Sequence, residues 1–207
     1  ADNTYGTIEE DAWRRDFTVN ALYYNIKDFS IIDFTGGMQD LKDRVIRMIG
    51  DPVQRYHEDP VRLLRAIRLA AKLGFNIHAD TQAPLKSLSV LLQHVPQSRL
   101  FDELLKLFFD GHAKVTYDYL YRYEYMQVLF PQLIPLFSTQ TSSSHVRLIE
   151  LAMEATDTRF ADGRSLNPGF LLSVLLWPAV LQQLEAAQEE SLPFYQAFHH
   201  AIDVVLV

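Results

Sequence analysis

The sequence predicts a mainly α-helical protein with a small α+β fringe at its N-terminal end. Three observations carry that prediction. From about residue 51 onward, apolar side chains recur at the three-and-four spacing of amphipathic helices. Gly74, Gly111 and the pair Phe130-Pro131 fall where such stretches would stop. Strand-like runs are confined to residues 30–34 and 45–49.

In the fringe, Asp16-Phe17-Thr18 offers cap and turn chemistry, and Asn20 to Tyr24 reads as a short helix. Ser30 to Phe34 reads as a strand stopped by Gly36-Gly37, and Asp40 to Asp43 as one helical turn. Val45 to Ile49 is a second strand closed by Gly50. The clearest helix spans Asp59 to Leu73, with Asp59 as cap, Pro60 in the first position and Gly74 at the end. Leu64, Ile67 and Ala71 form its apolar stripe, widened by Leu63, Ala70 and Leu73, while Arg65, Arg68 and Lys72 share the opposite side. Further helices are expected over Thr81–Leu92, Ser98–Phe109, Ala113–Leu129, Ser143–Ala155, Gly169–Trp177, Val180–Glu190 and Pro193–Val207. In the second of these, Phe101, Leu104, Leu105 and Phe108 sit at core spacing, and Trp177 is expected in the core.

Of 207 residues, 48% are apolar and 22% charged, the profile of an ordinary globular chain. No apolar run is read as reaching the roughly 20 residues that cross a bilayer, so no membrane partner is expected. Ala1 to Thr4 shows no leader pattern, and there is no cysteine, so disulfides and thiolate-bound zinc are excluded and a cytoplasmic location is expected. The chain ends in an uncapped apolar run from Ala201 to Val207, which reads as a cut within a longer protein. The net charge is −7, carried almost wholly by residues 75–207. An acidic protein does not hold nucleic acid by bulk charge, so any such contact must use local arginines, and these concentrate in the first third.

Two clusters carry candidate chemistry. The first is Arg14-Arg15-Asp16-Phe17-Thr18-Val19-Asn20, in which adjacent guanidinium groups suit phosphate oxygens and Asp16 or Asn20 suits a ribose hydroxyl. A surface charge pair with Asp16 as helix cap explains the same residues. The second is Glu58-Asp59-Pro60-Val61-Arg62-Leu63-Leu64-Arg65. At helical spacing Glu58, Asp59 and Arg62 share a face, and an acceptor beside a forked donor imitates the Watson–Crick edge of a base. A capped helix with ordinary salt bridges is the plainer account, and a capping Asp59 would not be free to read a base. The tyrosines at 117, 119, 121, 123 and 125 fit either core packing or an RNA-stacking surface. His199, His200 and Asp203 read as surface residues, and no metal ligands are assigned.

Residues 14–22 resemble the RRDFTxNA(L) motif, and residues 58–62 the EDxxR motif, of the class II tRNA nucleotidyltransferase and bacterial poly(A) polymerase family. They stand in the family's order, joined by a GGxxDLxxxxIRxIG stretch at 36–50. The resemblance is dense over residues 6–75 and looser to about residue 180. It implies template-independent addition of nucleotides to an RNA 3′ end, with ATP as substrate. It also implies a domain plan: the end of a palm-like head over 1–50, a nucleotide-selecting neck over 51–110 and a helical body, truncated, over 111–207. By the same resemblance Arg15, Asp16 and Asn20 hold ribose and triphosphate, and Asp59 and Arg62 select the base with Glu58 and Arg65 in support. The family's Mg²⁺-binding GGxxRD and DxD carboxylates occur nowhere in this sequence. The expectation is therefore that Mg²⁺ ligands lie upstream, that no catalytic residue is present, and that the chain is inactive alone. The stretches 99–111 and 167–178 resemble the poly(A) branch; CCA addition to tRNA and a non-catalytic helical binding module are the alternatives.

Overall fold

The computed structural model describes residues 6–134, 142–189 and 192–206. It is mainly α-helical, as the sequence predicts. The chain divides into two compact units, residues 1–103 and 104–207. The expected readings at Ala1–Thr4, Glu190 and Val207 lie outside the described residues.

The first unit opens with helix α1 (Ile8–Arg14), started by a reciprocal capping box between Thr7 and Glu10. A 3₁₀ turn (Thr18–Asn20) leads into β1 (Leu22–Tyr24), which pairs antiparallel with β2 (Ile31–Asp33). Residues 20–24 are therefore not the expected helix. The hairpin register decides their conformation, helped by Asx turns from Asn25 to Lys27 and from Asp28 to Ser30. Helix α2 (Gly37–Asp43) follows. Then β3 (Val45–Ile46) pairs in parallel with β4 (Asn76–Ile77), a strand not expected from the sequence. The two strand-like runs thus join different two-stranded sheets instead of pairing with each other.

Between β3 and β4 lie α3 (Pro52–Glu58), capped by Asp51, and α4 (Val61–Leu73), closed by Gly74 at φ +63°. Leu63, Leu64, Ile67, Ala70 and Ala71 are buried as the stripe requires, but Leu73 at its end is exposed. The expected helix over 81–92 is broken. Helix α5 (Ala79–Gln82) stops before Pro84, whose missing N–H ends the ladder, and a 3₁₀ stretch (Ser89–His94) follows. Ser87 and Ser89 hydroxyls donate to the carbonyls of Pro84 and Lys86, which favours turns over helix. Helix α6 (Gln97–Phe108) spans the division between the units.

In the second unit the expected helix 113–129 is two, α7 (Ala113–Arg122) and α8 (Tyr125–Leu129), because Glu124 adopts a left-handed φ of +63°. Asp157 caps α7 from a distance: its two oxygens accept from the amides of Ala113 (2.6 Å) and Lys114 (3.0 Å). Helices α9 (Ser142–Ala161), α10 (Pro168–Glu189) and α11 (Phe194–Leu206) complete the unit, α7 packing on α9 and α10 on α11. Helix α10 runs unbroken through Pro178, where the sequence reading placed a break. At 22 residues it is long and apolar enough to cross a bilayer, contrary to the reading that divided it. Its Leu171, Leu175, Ala179 and Leu184 are buried within the unit. Trp177 is partly exposed instead of core, and in α6 it is Leu104, Leu107 and Phe108 that are buried while Phe101 is exposed.

Candidate functional site

The segment 14–20 is held in place by backbone pairing with 47–49. Thr18 N donates to Arg47 O at 3.0 Å, Ile49 N donates to Asp16 O at 3.0 Å, and Phe17 bridges Met48. Phe17 is fully buried, so the residues flanking it cannot shift without emptying the core. Below it, the buried Asp40 accepts from the Thr18 hydroxyl at 2.7 Å and takes the Arg47 guanidinium through both carboxylate oxygens. Asp33 ties the Gly36-Gly37 turn to β2 by accepting from the amides of Thr35, Gly36, Gly37 and Met38. Burial would raise its pKa, but these four amides outweigh it and hold the carboxyl below the ordinary range.

Placed in this way, Asp16 faces α4. Arg62 Nε donates to Asp16 Oδ1 at 2.7 Å, and Arg65 Nη1 donates to Asp16 Oδ2 at 2.5 Å. Burial alone would raise the Asp16 pKa; the hydrogen bonds and charges of the two arginines overcome that and lower it. The same Asp16 raises the pKa of Arg65 against the opposing effect of burial. Arg62 continues the network through Nη1, donating to Arg55 O at 2.8 Å and to Glu58 Oε2 at 3.1 Å. Arg55 closes it from α3, donating to Glu58 at 2.9 Å and to the carbonyls of Arg14 and Arg15 at 3.1 and 2.8 Å.

The sequence-predicted residues thus divide into three groups. Asp16, Glu58, Arg62 and Arg65 are brought together directly. Asp59 stands beside them but does not pair with Arg62 on a common helical face, because α3 ends at Glu58 and Asp59 is extended at φ −146°, ψ 96°. Its carboxylate is split between two duties: Oδ1 accepts from Val61 N at 3.2 Å at the start of α4, and Oδ2 takes Arg99 Nη2 at 2.8 Å. The N-cap residue of α4 is therefore Pro60 and not the expected Asp59, no side chain caps the helix, and Asp59 makes an Asx turn at its start instead. Arg15 turns away from Asp16 and donates to Asp11 through Nε and Nη2, where the Tyr23 hydroxyl also donates at 2.5 Å. The Tyr23 hydrogen bond, then that of Arg15, lowers the Asp11 pKa. Asn20 is exposed at the end of the 3₁₀ turn.

Sequence reasoning missed Asp11, Arg55 and Arg99. Arg99 reaches Asp59 across 40 positions, and Arg55 reaches the Arg14 carbonyl across 41, separations that no local spacing rule detects; only the Arg55–Glu58 pair, three apart, was legible locally. Asp11 was four residues before Arg15, a legible helical spacing once α1 is recognised. Among the described residues no group of three or more acidic or histidine side chains is placed to hold a metal ion. His199, His200 and Asp203 are exposed on α11.

Residues 1–47 match the family described as "Poly A polymerase head domain", and residues 74–137 match "Probable RNA and SrmB- binding site of polymerase A". The chain is 47% identical over 206 residues to poly(A) polymerase I of Escherichia coli O6:H1, covering 99% of this chain and 44% of that protein. It is 32% identical over 216 residues to the CCA-adding enzyme of Limosilactobacillus fermentum, covering 97% of this chain and 54% of the relative. Among solved structures, a tRNA nucleotidyltransferase complexed with a primer tRNA and an incoming ATP analog superposes with a TM-score of 0.65 at 27% identity, over 85% of this chain and 52% of the other. The chain therefore spans about half the length of the relatives it matches. With both motif segments, the helical architecture and these matches in agreement, the chain belongs to the tRNA nucleotidyltransferase and poly(A) polymerase family.

Proposed function

We propose that this chain supplies nucleotide selection and RNA contact to an enzyme that adds adenylate to RNA 3′ ends from ATP. The observation that carries the reading is the Asp16 carboxylate shared by Arg62 and Arg65, which makes one polar surface of the two motif segments. In this reading Asp16, Arg15 and Asn20 serve ribose and triphosphate. Arg62 and Asp59 present a forked donor and an acceptor to the base, with Glu58 and Arg65 as support. The network holds Asp16, Glu58, Arg62 and Arg65 before ATP arrives, so little side-chain entropy of these four remains to be lost on binding. A base with the wrong edge would leave buried donors and acceptors unpaired, which is how a template-free site discriminates. The sequence has no DxD carboxylates, and no step through Mg²⁺ is assigned to its residues.

Preference for adenylate over CCA addition is supported by the higher identity to poly(A) polymerase I than to the CCA-adding enzyme. The second reading, CCA addition, draws support from structural neighbours that act on tRNA. RNA primer extension by the intact gene product with ATP or CTP separates them. Long adenylate tails are expected, and addition of C, C and A followed by arrest would replace the reading with CCA addition. Arg62→Ala is expected to broaden or abolish nucleotide choice; an unchanged ATP preference would remove Arg62 from base reading. This chain by itself is expected to give no extension. RNA binding with no nucleotide preference in any assay would reduce it to a helical binding module.

A further inference from the structure

The alternating tyrosines have no part in the nucleotide site, and their placement sorts them sharply. Tyr117, Tyr123 and Tyr125 are buried, whereas Tyr121 is 48% exposed and Tyr119 is half-buried. The buried rings back the outer ones: Tyr117 lies 6.2 Å from Tyr121, and Tyr123 stacks on Tyr119 at 6.3 Å with 8° between planes. Arg122 lies over the Tyr119 ring at 5.6 Å. Beside them opens a cavity of about 300 Å³ lined by Tyr121, Arg122, Glu124, Met126 and Gln127. The cavity exists because the chain turns sharply between α7 and α8 at Glu124, a non-glycine residue at φ +63°. Strained backbone of that kind persists only where surrounding packing enforces it, here through the buried Tyr125 and Met126 that follow.

We propose that the α7–α8 elbow is a subsite for single-stranded RNA, in which a base stacks on Tyr121 and the adjoining phosphate meets Arg122. A solvent-facing aromatic ring at Tyr121, a cation held over the neighbouring Tyr119 ring and an amide at Gln127 are elements of sequence-tolerant strand binding. The volume is at the small end of ligand pockets and suits one nucleoside, not a duplex. In a chain of net charge −7, bulk attraction for RNA is missing, so stacking plus one or two local cations is the available means of holding a strand. The elbow lies within residues 74–137, and the inference rests on the RNA-directed reading above while assigning residues to it.

The test is fluorescence anisotropy of a labelled single-stranded oligoadenylate of about 12 nucleotides with the intact gene product. Tyr121→Ala is expected to weaken binding at least about fivefold, the loss of one stacked base, while Tyr121→Phe retains native affinity. Arg122→Ala is expected to lower the slope of log affinity against log salt by about 0.7, one single-strand phosphate contact. ATP affinity stays native in all three variants. Oligoadenylate affinity within twofold of native in Tyr121→Ala, or an equal loss in Tyr121→Phe, overturns the subsite. A native protein that binds no single-stranded RNA, or an elbow whose variants lose only a protein partner, overturns it as well. Failure of the nucleotide reading is seen separately, as unchanged ATP selection in Arg62→Ala.

Discussion

Arg62 and Asp16, 46 positions apart in the sequence, meet at 2.7 Å. The contact fuses a turn of the N-terminal segment to the first turn of α4, and Arg65 on the next turn secures the other carboxylate oxygen. Neither motif is complete without the other.

Removing Asp16 should therefore cost stability as well as function. Asp16→Ala leaves the mostly buried Arg62 guanidinium short of its main counter-charge, and breaking such a pair costs about 3 kcal/mol. That figure is the low end of the range because Arg65 remains partly solvated. Urea unfolding should show a lower midpoint with an unchanged slope.

Arg99 is expected to act on Asp59 without touching a nucleotide. Its guanidinium fixes Asp59 Oδ2 at 2.8 Å, so Arg99→Ala should leave the carboxylate held only through Oδ1 by the Val61 amide. In primer extension the ATP-to-CTP preference should fall several-fold, about 1 kcal/mol of lost discrimination, with the fold intact by circular dichroism.

Gly37 is the tightest backbone approach near the site. A Cβ there would fall inside the van der Waals surface of the Thr18 carbonyl oxygen, which is backbone and cannot swing aside. Gly37→Ala should destabilise by about 3 kcal/mol. Gly36 carries the left-handed φ of +83° but has open space around it, so Gly36→Ala should suffer only backbone strain, about 1 kcal/mol. Thermal melts of the two variants should rank in that order.

Acid should loosen the first unit through its carboxylates. Asp16 and Asp33 both have pKa values lowered by folding, so the stability they confer is complete above about pH 5 and is lost as the pH falls through their native values. Asp33→Asn cannot titrate at this position. Its unfolding free energy, lower at neutral pH, should therefore fall less steeply than that of the native chain from pH 5 to 3.

Much of this was written in local sequence. The helix over Val61–Leu73 follows from its apolar stripe and the closing Gly74, and Arg62 and Arg65 lie in it; the cap at Asp51 and Pro52 in the first turn were equally local signs of α3, which bears Glu58. The Thr7–Glu10 capping box was equally legible and announces α1, which the reading passed over. What local pattern could not supply was pairing. Leu22–Tyr24 becomes strand because Ile31–Asp33 lies opposite, and Asn76–Ile77 because Val45–Ile46 does. Helix α10 continues through Pro178 because its packed neighbours offset one missing hydrogen bond. Arg99 enters the site by the same long-range route, and no periodicity within a single helix could have identified it, whereas Arg55 stands three positions before Glu58 on α3.

The parallel pairing of β3 with β4 has a kinetic meaning. Asn76 N donates to Arg44 O and His78 N donates to Ile46 O, each at 2.9 Å, so two amide hydrogens latch both ends of the α3–α4 segment. The helices bearing Glu58, Arg62 and Arg65 cannot fray from a free end. They are expected to open with the latch, as one cooperative unit. The deuterium uptake of Asn76 and His78 is accordingly a direct clock for how often the arginine network comes apart, read at two positions that never contact it.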